Sequence, residues 1–134
     1  MDDLVAFLKA RLDEDEAVAQ ETVADFGDHW TVDGERVRGS VEYVDVLDGP
    51  GMPYAHIARH DPARVLREVE AKRRLLALHA PTGPGGDDCV VCDYGADSCG
   101  CMGTNGGWPC ATLELLALPY SGHPDYRPAW SPTA

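Results

Sequence analysis

The sequence has no run of about 18 or more apolar residues, so nothing in it reads as a membrane-crossing helix. Bases are scarce: 11 Lys and Arg stand against 23 Asp and Glu, for a net charge of −12. That imbalance repels a phosphate backbone and argues against direct nucleic-acid binding. The opening stretch, MDDLVAFLKARLDEDE, carries acids where a secretory leader carries bases, so a reducing, cytoplasmic setting is the expectation. Catalytic signatures are missing as well. There is no phosphate-binding P-loop, no Gly-x-Ser-x-Gly elbow, no dinucleotide fingerprint and no His-x-Glu of the zinc deaminases. A second Cys-x2-Cys is also lacking, and an odd count of five cysteines rules out complete internal pairing.

What is present suits one domain, residues 1–134, with a helix–sheet–helix core in 1–80 and a C-terminal segment in 81–134. Its 14 glycines and 10 prolines imply long loops. Charge is unevenly spread: net −10 in residues 1–53, +3 in 54–80 and −5 in 81–134. The acidic part keeps a small protein soluble, and it leaves room for a basic protein partner.

Apolar residues Val5, Leu8, Leu12, Ala19, Val23 and Phe26 recur at helical spacing and predict a helix over 3–26, capped by Asp2 or Asp3 and stopped at Gly27. Residues 29–47 alternate in the manner of strands. Trp30 and Val32 are followed by an Asp33-Gly34 turn, Val37, and a run from Val41 to Val46, which together predict a small antiparallel meander. Residues 48–53 read as a loop. A second helix is expected over 62–79, with Asp61 as its cap and Pro62 at its first position, where a missing N–H costs nothing. Val65, Leu66, Val69, Leu76 and His79 share its apolar face. Residues 82–109 read as a loop, and a short helix over 111–118 follows with Leu113, Leu116 and Ala117 inward. The tail is too proline-rich for a helix, and Tyr120, Tyr126 and Trp130 are expected to anchor it as an extended segment. The fold class is therefore α+β: a long N-terminal helix, a small antiparallel sheet, a central helix, a zinc-knuckle loop and a short C-terminal helix.

All five cysteines fall between residues 89 and 110. In a reducing compartment such a cluster more often holds metal than forms disulfides. Cys89 and Cys92 have the Cys-x2-Cys spacing of a zinc knuckle, a tight turn whose amides face both sulfurs. Cys110 follows Pro109 at a predicted helix start, where free N–H groups favour a thiolate. Tetrahedral zinc then needs a fourth donor, and His79 at the end of the central helix is the choice. Ligation there would tie two helices across a loop otherwise too long for a compact domain. Cys99, Cys101 and His123 are rivals for that position. The reading is one structural zinc on His79, Cys89, Cys92 and Cys110, with an iron–sulfur cluster and a thiol redox pair as other uses of the same cysteines. A sulfur-rich site looks closed, so enzymatic chemistry is not expected. His56 and His60 form a separate candidate pair for a catalytic metal. Asp61-Pro62 sets the next helix start after both, which predicts that they lie in extended chain.

The segments DDLVAFLKARLDEDE, HIARHDPARVLREVEAKRRLLALH and WPCATLELLALPYSGHPDYRPAW together resemble an uncharacterised family of short actinobacterial and actinophage proteins. The family pattern implied is a His after the central helix, a Cys-x2-Cys and a Pro-Cys before the last helix. It maps onto His79, Cys89, Cys92 and Pro109-Cys110, whereas Cys99, Cys101 and the stretch from Gly103 to Gly107 depart from it. The resemblance brings no activity. The functional expectation is a zinc-stabilised, non-enzymatic cytoplasmic interaction or regulatory protein with a protein partner. A metalloenzyme of hydrolase type, or a thiol redox sensor, are the alternatives.

Overall fold

A computed structural model describes residues 3–42, 44–82, 88–89 and 109–132. The fold is α+β. It comprises α1 (Asp3–Phe26), β1 (Thr31–Val32), β2 (Arg36–Arg38), β3 (Asp45–Asp48), α2 (Tyr54–Arg59), α3 (Pro62–Leu78), β4 (Pro81–Thr82), β5 (Asp88–Cys89) and α4 (Ala111–Ala117). Two 3-10 turns close the chain, Leu118–Tyr120 and Pro128–Trp130. The chain forms two compact units, one of residues 1–12 with 71–134 and one of residues 13–70.

In the first unit, α1 contributes Leu4, Phe7 and Leu8 to a buried cluster. Leu76 of α3, Leu113 and Ala117 of α4, Cys110 and Trp130 complete it. Leu4, Phe7, Leu8 and Arg11 lie three and four residues apart, so they fall on one side of the helix. The inward stripe of α1 is therefore set by Leu4 and Phe7, with Val5 only packed against its edge. Phe7 is the hub of the tail. Its ring meets Trp130 at a centroid distance of 5.1 Å, His123 at 5.7 Å, Tyr126 at 6.0 Å and Tyr120 at 6.3 Å. Three of the four contacts are edge-on, the arrangement that ring quadrupoles favour. The aromatic anchoring expected of the tail thus occurs on α1. The backbone there is wound into 3-10 turns, because Pro119 and Pro128 supply the fixed φ that such a turn needs. Arg127 adds a 2.6 Å ion pair to Asp3.

In the second unit, α1 ends where Gly27 turns to φ +78° and its N–H closes on the Val23 carbonyl at 2.9 Å. A Cβ at Gly27 would collide with Ser40 Oγ and come within 2.9 Å of the Val41 nitrogen. Two independent reasons therefore require glycine at this position. The three-stranded sheet has order β1-β2-β3, all antiparallel, with Thr31 opposite Arg38 and Val37 opposite Leu47. The Asp33-Gly34 turn forms as expected, and Val37 is the fully buried residue of β2. Asp45 pairs with Arg36 at 3.6 Å and Arg38 at 3.8 Å, and Arg38 reaches Asp33 at 3.1 Å.

The meander is shorter than its alternation implies. Val41 and Glu42 stand outside the strands, and β3 begins only at Asp45. Ser40 Oγ donates to Asp28 Oδ1 at 3.2 Å and accepts the His29 N–H at 3.4 Å, and the Val44 N–H is bonded locally to the Val41 carbonyl at 3.3 Å, which together hold this stretch in a bend. The loop expected over 48–53 ends in an unexpected helix. The Pro53 carbonyl accepts the Ile57 N–H at 3.1 Å and opens α2, and His60 N–H closes it on the Ile57 carbonyl at 3.1 Å. Pro62 disfavours helical φ/ψ at Asp61, so α2 cannot run on into α3. His56 and His60 therefore lie on a helical turn and its C-cap, not in extended chain.

α3 starts as the sequence predicts: Asp61 Oδ1 accepts the Arg64 N–H at 2.9 Å. Beyond it, β4 and β5 pair antiparallel, setting Pro81 opposite Cys89 and Thr82 opposite Asp88, so that Thr82, Asp88 and Cys89, read as loop, stand in strands. α4 opens at Cys110, whose carbonyl accepts the Leu113 and Glu114 N–H groups at 3.0 and 3.2 Å.

Candidate metal centre

His79 is the first residue past α3, held there by its N–H on the Leu75 carbonyl at 3.1 Å. It falls three residues after Leu76 and ten after Val69, so it continues the buried side of that helix, and it is itself only 7% exposed. Cys110 is 2% exposed and sits at the N-cap of α4 with extended φ/ψ. The two side chains meet: Cys110 Sγ lies 3.4 Å from His79 Nδ1. Thirty-one positions of sequence separate them.

That distance suits two kinds of chemistry. A thiol and a neutral imidazole nitrogen form a hydrogen bond at this separation. Two donors of one tetrahedral zinc, with bonds of ~2.3 Å to sulfur and ~2.0–2.1 Å to nitrogen, also stand about 3.6 Å apart. Burial pushes the His79 ring below its ordinary pKa, because an imidazolium loses its hydration there. The neutral ring is the form that keeps a lone pair for a metal or a thiol proton.

Of the other expected ligands, Cys89 ends β5, and the β4–β5 register sets its backbone opposite Pro81, two residues beyond His79. Cys92, and the rivals Cys99 and Cys101, lie outside the described residues. Among the described residues, no group of three or more His, Cys, Asp or Glu side chains is arranged to hold a metal. His123, the remaining rival, is engaged elsewhere. Arg11 Nη1 lies 2.7 Å from its Nε2 and 2.9 Å from its Nδ1, the Asp125 N–H reaches Nδ1 at 3.1 Å, and its ring stands against Phe7.

Residues 1–132 match a family described as a family of unknown function, DUF6221. The chain belongs to DUF6221. No curated protein and no solved structure matches it. Membership covers both units and every residue of the expected metal site, His79, Cys89, Cys92 and Cys110.

One further arrangement in this DUF6221 chain escaped sequence reasoning. Asp61, expected only as a cap, also takes His29 Nδ1 at 3.0 Å and the Trp30 N–H at 3.2 Å on its second oxygen. Burial by itself pushes the Asp61 carboxyl up. The N–H groups of Arg64 and Trp30, then the His29 ring, outweigh that and hold it below its ordinary pKa. The candidate pair His56 and His60 has ring centroids 4.4 Å apart. Its four-residue spacing was legible, but the approaching Pro62 hid the helical turn that carries it. No helix among the described residues is long and apolar enough to cross a membrane.

Proposed function

We propose that this chain is a small cytoplasmic protein of the interaction or regulatory kind, built around one structural zinc on His79, Cys89, Cys92 and Cys110. The observation that carries this reading is the 3.4 Å approach of two buried donors, His79 Nδ1 and Cys110 Sγ, from the two ends of the cysteine-bearing segment. Cys89 enters that segment across the β4–β5 pair from the chain just beyond His79. Three thiolates and one imidazole make a closed tetrahedral set, which supplies folding free energy and leaves no open position for substrate. Zinc held in this way would fasten the end of α3 to the start of α4.

A partner-binding role is favoured by charge. Residues 1–53 carry net −10, a surface suited to a basic protein partner and ill suited to nucleic acid. An actinobacterial or actinophage setting, carried by the resemblance of the three quoted segments, accompanies this reading.

Elemental analysis of the native protein tests it. The expected result is one zinc per chain, lost in His79→Ala, Cys89→Ser, Cys92→Ser and Cys110→Ser and kept in His123→Ala. A metal-free native protein that is fully folded would overturn the reading. Iron with acid-labile sulfide would replace zinc by a cluster.

A further inference from the structure

His56 and His60 stand at helical spacing i, i+4 at the C-terminal end of α2, in the unit of residues 13–70, and both are exposed. Residues four apart on a helix project from one face. Here the two ring centroids are 4.4 Å apart, with the planes inclined by 37°. His60 Nδ1 lies 2.7 Å from the His56 carbonyl oxygen, so Nδ1 carries the proton and donates it there. The tautomer is thereby fixed, and the lone pair of His60 is on Nε2. Histidine ligands of metals are characteristically held in this way, with one ring nitrogen bonded to a carbonyl or carboxylate and the other turned to the ion.

We propose that His56 and His60 form a bidentate surface site for a divalent transition metal of the nickel–copper type. The hydrogen bond to the His56 carbonyl leaves the His60 lone pair on Nε2, and the four-residue spacing brings the His56 ring to 4.4 Å from it, centroid to centroid. Tetragonal and octahedral ions, Cu²⁺ and Ni²⁺, place neighbouring ligands at right angles, and they bind imidazole more tightly than the earlier divalent metals. Asp61, adjacent in sequence, is not part of the site, because both of its oxygens are already bonded to Arg64, Trp30 and His29. Water completes the coordination, as an exposed pair allows.

The test is a titration of the full-length, zinc-supplied protein with Ni²⁺, followed through the histidine ring signals of ¹⁵N-labelled protein by NMR. Ni²⁺ avoids the oxidation of thiols that Cu²⁺ would bring. Substoichiometric Ni²⁺ is expected to broaden the His56 and His60 ring signals ahead of those of His29, His79 and His123. His56→Ala or His60→Ala should weaken binding at least tenfold with the circular-dichroism spectrum unchanged. The double substitution His56→Ala with Ala55→His keeps the histidine count but breaks the spacing, and should bind as weakly as His56→Ala alone. Native-like affinity in that double variant, or broadening of the pair only above millimolar Ni²⁺, would overturn the proposal.

Discussion

His29 Nδ1 lies 3.0 Å from Oδ2 of Asp61, a carboxylate that is 5% exposed and also caps α3. One side chain thus fixes the start of a helix and the chain that leads from α1 into the sheet. Asp61→Ala removes the cap and strands the Trp30 and Arg64 N–H groups. It should lower stability by about 1–3 kcal/mol, read from urea unfolding.

The same carboxylate sets a pH dependence. Its folded pKa lies below the ordinary value, so near that value the unfolded chain binds more protons than the folded one. Its contribution is present in full above the ordinary carboxylate pKa of about 3.9 and is lost as the pH falls through the lowered folded value. Asp61→Asn, which keeps a capping oxygen but cannot ionise, should flatten this part of the acid-unfolding curve relative to the native protein.

Phe7 should prove the most sensitive apolar position of α1. Truncation to alanine removes a ring in contact with Tyr120, His123, Tyr126 and Trp130. The expected cost is about 3–5 kcal/mol. Phe7→Leu should cost less, because it refills much of the volume. Thermal melts of the two variants beside the native chain check the order.

Removal of the proposed zinc provides a fourth prediction. A strong chelator should lower the melting temperature of the native protein, since metal-binding free energy is partly folding free energy. Cys110→Ser and His79→Ala should start from the lower melting temperature and respond little to chelator. Leu113→Ala, beside Cys110 in the same buried cluster, should lose about 2–5 kcal/mol yet keep its response. That contrast separates a ligand from a packing residue.

Gly27→Ala should destabilise by about 1–3 kcal/mol, because a left-handed φ of +78° and a collision with Ser40 act together. Pairing it with Ser40→Gly should recover the side-chain part of the clash and leave the cost of the positive φ and of the 2.9 Å approach to the Val41 nitrogen. Urea unfolding of the single and double variants measures both.

Much of this fold was legible in the residues, and for local reasons. The bounds of α1 follow from apolar spacing and Gly27, and the start of α3 from Asp61-Pro62. The approach of Cys110 to His79 was legible as well, because histidine on the inward side of a helix end and cysteine at a helix start are both placed by their helices. The gathering of aromatic side chains on Phe7 was not legible, since it depends on contacts more than a hundred positions apart. α2 was missed because six residues are too few for a periodic signal, and the following proline reads as a helix boundary in either case. The short reach of the sheet was hidden because Ser40, at the bend, is tied by its hydroxyl to Asp28 and His29, more than ten positions away in sequence.

Among the described residues, each part of the chain holds one indole: Trp130 beside Phe7 in one, and Trp30, its Nε1–H on the Gly27 carbonyl at 3.2 Å, in the other. With Trp108 changed to phenylalanine, intrinsic fluorescence becomes a two-channel reporter. Removing either remaining indole in turn lets one spectrometer follow the loss of each half separately, with no external dye.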